Sequence, residues 1–250
     1  MGRIGGAGAH LVSRSDYEGT LAKGGTTITK GADESLQKGH DIVDIGPLCP
    51  SDVDQARAVL ARGMRDNPNH VAAFGDDPTA RLAGLRAFLE SYRSIPEREA
   101  FVARDATGRI VGVMAMMRPG ECQLSSPHEA RSLSGFYAKD PGAASRLKRW
   151  LDVWRKHDPQ ERHWHCGPFA VEAQVQRRGI GSGLLRVFCA QLDAGQENVY
   201  LETDVMQSIG FFERFGFEVM AEDRVLGATN WFLLRRPRAV RHRRGEGTPT

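Results

Sequence analysis

Long apolar runs are missing from this 250-residue chain. Nothing approaches the roughly 18 uninterrupted apolar residues that a membrane-spanning helix needs, so no membrane association is expected. The first 20 residues also lack the apolar centre of a secretory signal, because His10, Ser13, Arg14 and Asp16 interrupt them. Cysteine is scarce. Cys49, Cys122, Cys166 and Cys189 lie far apart with no CxxC pair, which speaks against a metal knuckle or a disulfide scaffold. No bound metal and a reducing, cytoplasmic setting are the expectations. An excess of positive charge is lacking from the body of the chain. The formal net charge is +3, yet residues 235–250 hold six arginines (Arg235, Arg236, Arg238, Arg241, Arg243, Arg244) against Glu246 alone. The rest of the chain is therefore weakly acidic, and nucleic acid is not the expected partner.

What is present is a globular composition, 40% hydrophobic and 26% charged, large enough for one sizeable domain. Residues 1–40 are rich in glycine without sustained periodicity and read as a flexible extension. The domain is expected over 41–236, with a basic tail over 237–250. A short strand is predicted at Ile42–Ile45, ended by Gly46-Pro47, then helices from about Ser51 to Met64 and from Leu82 to Tyr92. Asn67-Pro68-Asn69 breaks the first of these. Glu99–Arg104 and Arg109–Met117 flank a turn and read as a β-hairpin. Residues 118–142 are polar and turn-rich, and 143–156 are helical. Then come a strand at His163–Val171, a helix at Gly179–Leu192, a strand at Val199–Thr203, a helix at Met206–Phe215, and strands at Phe217–Ala221 and Trp231–Leu234. The class is mixed α/β.

The chemistry concentrates in Phe169-Ala-Val-Glu-Ala-Gln-Val-Gln-Arg-Arg-Gly-Ile-Gly-Ser-Gly183. A strand ends at Val171 and a helix opens on Gly179, Gly181 and Gly183, beside Arg177 and Arg178. The first amides of a helix lack intrahelical partners and carry about half a positive charge. Glycines there remove the side chains that would block a ligand's approach, so the segment suits a pyrophosphate. Its spacing fits neither a Walker loop nor a dinucleotide fingerprint.

These residues resemble the GCN5-related N-acetyltransferase (GNAT) family, whose coenzyme A signature Gln/Arg-x-x-Gly-x-Gly/Ala is matched by Gln176, Gly179 and Gly181. Trp164–Val171, Leu201-Glu-Thr203 and Phe211–Val219 resemble the flanking blocks, with a spelling most similar to the puromycin-type branch. The resemblance implies a twisted, mostly antiparallel sheet whose fourth and fifth strands splay apart, flanked by helices. It implies acetyl-CoA as cosubstrate, bound through Phe169, Ala170, Val171, Gln176, Arg177, Arg178, Gly179, Ile180, Gly181, Ser182, Gly183, Ser208 and Phe212. The implied reaction is direct attack of a primary amine, on a small molecule, in a ternary complex; dimers are frequent among such proteins. The sequence departs from the pattern at two places. Phe212 stands where relatives carry a proton-donating tyrosine, and Ser208 where the branch carries asparagine. A coenzyme A-binding sensor with weakened catalysis is the alternative.

Loss of the amine proton requires a base. Glu202 interrupts an apolar strand, where it serves either as base or as a structurally bonded carboxylate. Strand alternation puts His163, His165, Gly167, Phe169 and Val171 on one face, so His165 either enters the acceptor cleft or sits on the strand surface. Glu172 is a turn residue or a base. Trp150, Trp154, Trp164 and Phe136 either wall a pocket or pack in the core. No cysteine lies in a recognisable nucleophile setting.

Overall fold

The computed structural model describes residues 43–91, 100–122, 133–134 and 140–238. The extension over 1–40, Phe136, most of the 118–142 segment and the arginines beyond 238 lie outside them.

Seven strands form one sheet: β1 (Asp44–Pro47), β2 (Ala100–Arg104), β3 (Ile110–Met117), β4 (His163–Val171), β5 (Asn198–Thr203), β6 (Glu218–Val225) and β7 (Ala228–Arg235), in the order β1-β2-β3-β4-β5-β7-β6. Every pairing is antiparallel except β4 with β5. The predicted first strand shifts toward the C-terminus. Gly46 and Pro47 do not end it but pair with Val102 and Phe101, a position an edge strand allows to proline.

Among the described residues six α-helices cover the two faces: α1 (Val53–Met64), α2 (Pro68–Phe74), α3 (Pro78–Ser91), α4 (Pro141–His157), α5 (Ile180–Gly195) and α6 (Met206–Glu213). The helix α2 was not anticipated. Asn67-Pro68 ends one helix and opens the next, because proline at the first helical position gives up only an amide that has no partner there. Arg81 locks this corner, donating to the carbonyls of Arg65 and Gly75 at 2.8 Å each and pairing with Asp66.

On one face, Leu184, Leu185 and Phe188 of α5 and Phe212 of α6 pack on Met114, Trp164, Val199, Leu201 and Leu233. On the other, Leu60 of α1 and Leu85 of α3 pack on Val102, Val113 and Ala170. Farther along that face, α4 contributes Leu147, Trp150 and Leu151.

Two features of β4 and β5 shape the site. Their pairing covers only His163–His165 against Asn198–Tyr200, after which the strands diverge. On its other side β4 pairs Met114 with Phe169 and Met116 with Cys166, so three residues of β4 span what two span on β3. This bulge at Gly167-Pro168 overturns the expected alternation. His165 lies on the face of Tyr200 and Glu202, whereas Phe169 and Val171 join the α5 side.

The first of the C-terminal arginines belongs to the sheet. Arg235 is buried in β7, bonded to both carboxylate oxygens of Asp193 at 2.8 and 2.7 Å and to the Phe215 carbonyl. Arg236 pairs with Glu161 at 2.9 Å.

Candidate active site

A cleft of about 930 Å³ opens where β4 and β5 diverge. Of the residues expected to hold coenzyme A, it is lined by Phe169, Ala170, Val171, Gln176, Arg177, Gly179, Ile180, Gly181, Ser182, Ser208 and Phe212. Beyond His165 the β4 edge that faced β5 has lost its strand partner. Backbone donors and acceptors there are left for another chain or a ligand.

The turn into α5 is built from backbone geometry. Arg177 and Gly179 both take left-handed conformations, φ 62° and 84°, which glycine adopts without strain. Gln176 ties the turn to β4, its Nε2 donating to the Val171 carbonyl at 3.0 Å. The amide of Gly183 donates to the Gly179 carbonyl at 2.9 Å, so the amides of Ile180, Gly181 and Ser182 precede the helical ladder. A Cβ on Gly181 would make ordinary contact with Phe169, Phe211 and Val171, at 3.4, 3.6 and 3.7 Å, so this glycine borders the cleft at a position that tolerates a methyl.

Gly183 differs. Its Cβ would lie 2.7 Å from Ile45 Cδ1, and its amide is already used, so it serves close packing of α5 on the sheet rather than ligand approach. Arg178 also turns away from the cleft, toward the Gln174 carbonyl at 3.4 Å. Glu172 is held by Arg62, whose Nε donates at 3.0 Å, and acts as the turn residue that one of its two readings allowed.

Opposite the turn, His165 and Glu202 meet with Nε2 to Oε2 at 2.7 Å, both side chains buried and both lining the cleft. Burial opposes protonation of His165, but Glu202 and Cys122 beside it together outweigh burial and raise the imidazole's proton affinity. His165 Nδ1 and Glu202 Oε1 have no hydrogen-bond partner. Of the two readings left open for each residue, His165 takes the cleft, and Glu202 is bonded to it.

Farther out, Trp150 and Trp154 do both things weighed for them. Their rings pack edge to face at 5.2 Å, and both line the cleft. Trp164 lies in the core on the α5 side. Phe212 packs edge to face with Phe211 and Phe217 at 5.2 and 5.7 Å, and it borders the cleft with no hydroxyl to donate.

Sequence reasoning missed three contributors. His70 of α2 lines the cleft, and burial, with Arg81 nearby, depresses its pKa to about 3, leaving it neutral. Asp204, at the end of β5, accepts the Asn69 amide at 2.7 Å and is pushed up by burial. Cys122 was judged to lack reactive surroundings. It lies 3.7 Å from His163 Nε2 and 3.5 Å from Asp158 Oδ1. Burial would raise its thiol pKa, but His163 and His165 lower it overall. Separations of 36 and 41 residues hid this grouping.

The seven-stranded sheet, with its single parallel junction and helices on both faces, is the fold of GNAT acetyltransferases. Residues 143–219, from α4 into β6, match the family model described as an acetyltransferase (GNAT) domain. A solved structure described as histone acetyltransferase HPA2 and related acetyltransferase, from Corynebacterium glutamicum, is 20% identical, with a TM-score of 0.57 over 82% of this chain and 99% of that one. A mosquito arylalkylamine N-acetyltransferase-like protein is 14% identical (TM-score 0.53, 78% of this chain and 99% of that one). A Drosophila melanogaster polyamine N-acetyltransferase is 16% identical (TM-score 0.51, again 78% and 99%). At these identities the likeness establishes the fold.

Proposed function

We propose that this chain is an N-acetyltransferase that moves acetyl from acetyl-CoA to a primary amine on a small molecule, and that it stands nearest the puromycin-type branch. One observation carries the reading. A single cleft joins the amides at the start of α5, the unpaired edge of β4 and the buried His165–Glu202 pair.

In this reading the turn from Gln176 to Ser182 holds the pyrophosphate, through backbone amides and the mobile charge of Arg177. The free edge of β4 at Phe169–Val171 pairs with the pantetheine arm, and a β4 amide stabilises the oxyanion. Ser208 and Phe212 contact the cofactor from α6. Acetyl-CoA supplies an activated thioester. Glu202 takes the ammonium proton, directly or through water, with His165 fixed against its other oxygen, and the free amine then attacks in a ternary complex. Asp204 places a carboxylate on this part of the cleft, within reach of a cationic amine bound beside Glu202.

A second reading rests on Phe212. With no hydroxyl there, the thiolate leaves without help from that position, and a coenzyme A-binding sensor of low turnover becomes the competitor. Calorimetry with acetyl-CoA followed by thiol release across a panel of amines separates the two. Binding with turnover that rises on Phe212→Tyr supports the enzyme. Tight binding with no turnover on any amine, in wild type and Phe212→Tyr alike, favours the sensor, and failure to bind coenzyme A overturns both.

A further inference from the structure

Behind the His165–Glu202 pair, three potential ligands from separate junctions of the fold converge. Cys122 follows β3, Asp158 caps α4, and His163 opens β4. The Cys122 Sγ lies 3.5 Å from Asp158 Oδ1 and 3.7 Å from His163 Nε2, and His163 Nε2 lies 3.3 Å from Asp158 Oδ1. Among the described residues this is the one group of three or more such side chains gathered closely enough to share a metal ion.

The spacing is diagnostic. Zinc bonds of about 2.3 Å to sulfur and about 2.0–2.1 Å to nitrogen and oxygen, at tetrahedral angles, put ligand atoms about 3.5–3.6 Å apart for the sulfur edges and about 3.3 Å apart for nitrogen to oxygen. All three observed edges lie close to those lengths. The outer contacts fit as well. His163 Nδ1 donates to the Glu161 carbonyl at 2.8 Å, which fixes the ring and directs Nε2 toward the cluster, as metal-bound histidines require. A thiolate and a carboxylate so close together repel, and a divalent cation between them removes that repulsion. Asp158 meets Nε2, the same nitrogen that faces the sulfur, so all three ligand atoms converge on one point. The hydroxyl of Tyr200, buried on the same face with its ring 5.4 Å from that of His163, has no hydrogen-bond partner.

We propose that Cys122, Asp158 and His163 form a zinc site, with water in the fourth position, that ties the exit of β3 to the end of α4 and the start of β4. The ligand set of one thiolate, one imidazole and one carboxylate suits zinc rather than magnesium or calcium, which prefer oxygen alone. Zinc here anchors the wall of the cleft next to His165.

The test uses the full chain, stripped with a chelator and titrated with zinc or, as a spectroscopic probe, cobalt. Expected are uptake of one zinc per chain, a higher melting temperature, and protection of Cys122 from alkylation as mapped by mass spectrometry. Cobalt should show thiolate charge-transfer absorption with tetrahedral visible bands. Cys122→Ser should abolish the charge-transfer absorption, and Asp158→Asn should weaken zinc binding by more than roughly tenfold, the lower end of what loss of even an outer partner costs. Should a variant fail to fold, alkylation and cobalt spectra of the wild-type chain decide alone. Cys122 alkylated equally fast with and without zinc, or a cobalt spectrum lacking thiolate absorption, overturns the site. Neither result bears on acetyl transfer, which is measured separately.

Discussion

Two glycines two residues apart should fail in opposite ways when each is replaced by alanine. Both Gly181 and Gly183 lie in the first turn of α5, so the gain in helix propensity, about 0.5–1 kcal/mol, is nearly common to both and cancels in the difference. What remains is steric. The new methyl at 181 meets Phe169 at 3.4 Å, an ordinary contact. At 183 it meets Ile45 Cδ1 at 2.7 Å, against the ~3.5–4.0 Å that carbon atoms prefer, and Ile45 is itself buried. Forcing that side chain back costs about 1–3 kcal/mol. Gly183→Ala should therefore melt below Gly181→Ala by roughly 2–4 °C for each kcal/mol. Coenzyme A affinity should run the other way. A methyl at 181 sets the pyrophosphate off the amides, and losing one charge-assisted hydrogen bond is worth about 1.5–3 kcal/mol, or roughly ten- to 150-fold in Kd. Gly183→Ala should leave Kd within about twofold, as a change worth under ~0.4 kcal/mol does. Calorimetric titration and thermal melts of both variants give all four numbers. Equal loss of affinity in both, or coincident melts, would refute the division of labour between these residues.

Glu202→Gln keeps an oxygen for His165 Nε2–H and a side chain of the same shape, so the chain should fold while kcat falls by about 10²–10⁴ with the KM for acetyl-CoA unchanged. Retention of about a third of wild-type kcat, where a base supplies at least ~10²-fold, would remove Glu202 from the mechanism. Acid stability should depend on Asp66, whose pKa is held down to about 2 by Arg65 and then Arg81. Because the folded value lies below the unfolded one near 3.8, its contribution is present above that value and is lost as pH falls toward 2. Asp66→Asn should flatten the stability curve between those limits; denaturant titrations at several acid pH values that match wild type would contradict the assignment.

Much of the cofactor half was legible because its signals are local. A strand of alternating residues, a turn, and glycines at a helix start lie within twenty residues, and periodicity placed β4 at His163–Val171 to the residue. Signals that depend on distant partners were not legible. Cys122, Asp158 and His163 meet only because three junctions stack at one end of the sheet. Gly183 looked like part of a ligand cradle because nothing local distinguishes an approach by phosphate from an approach by Ile45. The ion pair that buries Arg235 left no local signal because its partner Asp193 is 42 residues away, on α5. In α2, Pro68 marks a stop and a start with the same dipeptide, and only the packing of Ala73 and His70 beneath α4 shows which one dominates.

The bulge at Gly167-Pro168 matters most for function, and it explains why strict alternation fails where the chemistry lies. A regular β4 would send His165, Phe169 and Val171 to one face. The cleft would then be lined either by His165 or by the apolar pair Phe169 and Val171, and the other set would lie under the opposite layer of helices. One extra residue reverses the parity. His165 stays with Glu202 and Tyr200, while Phe169 and Val171 turn toward Gly181 and α5. The same insertion falls two residues beyond the last pair with β5, so the strand bends away where the gap must open. A Cβ on Gly167 would stand 3.8 Å from His165 Nε2, so the bulge lies beside the His165–Glu202 pair as well as the opening. Parity and divergence are thus set by one local irregularity, which lets a single strand line both parts of the cleft.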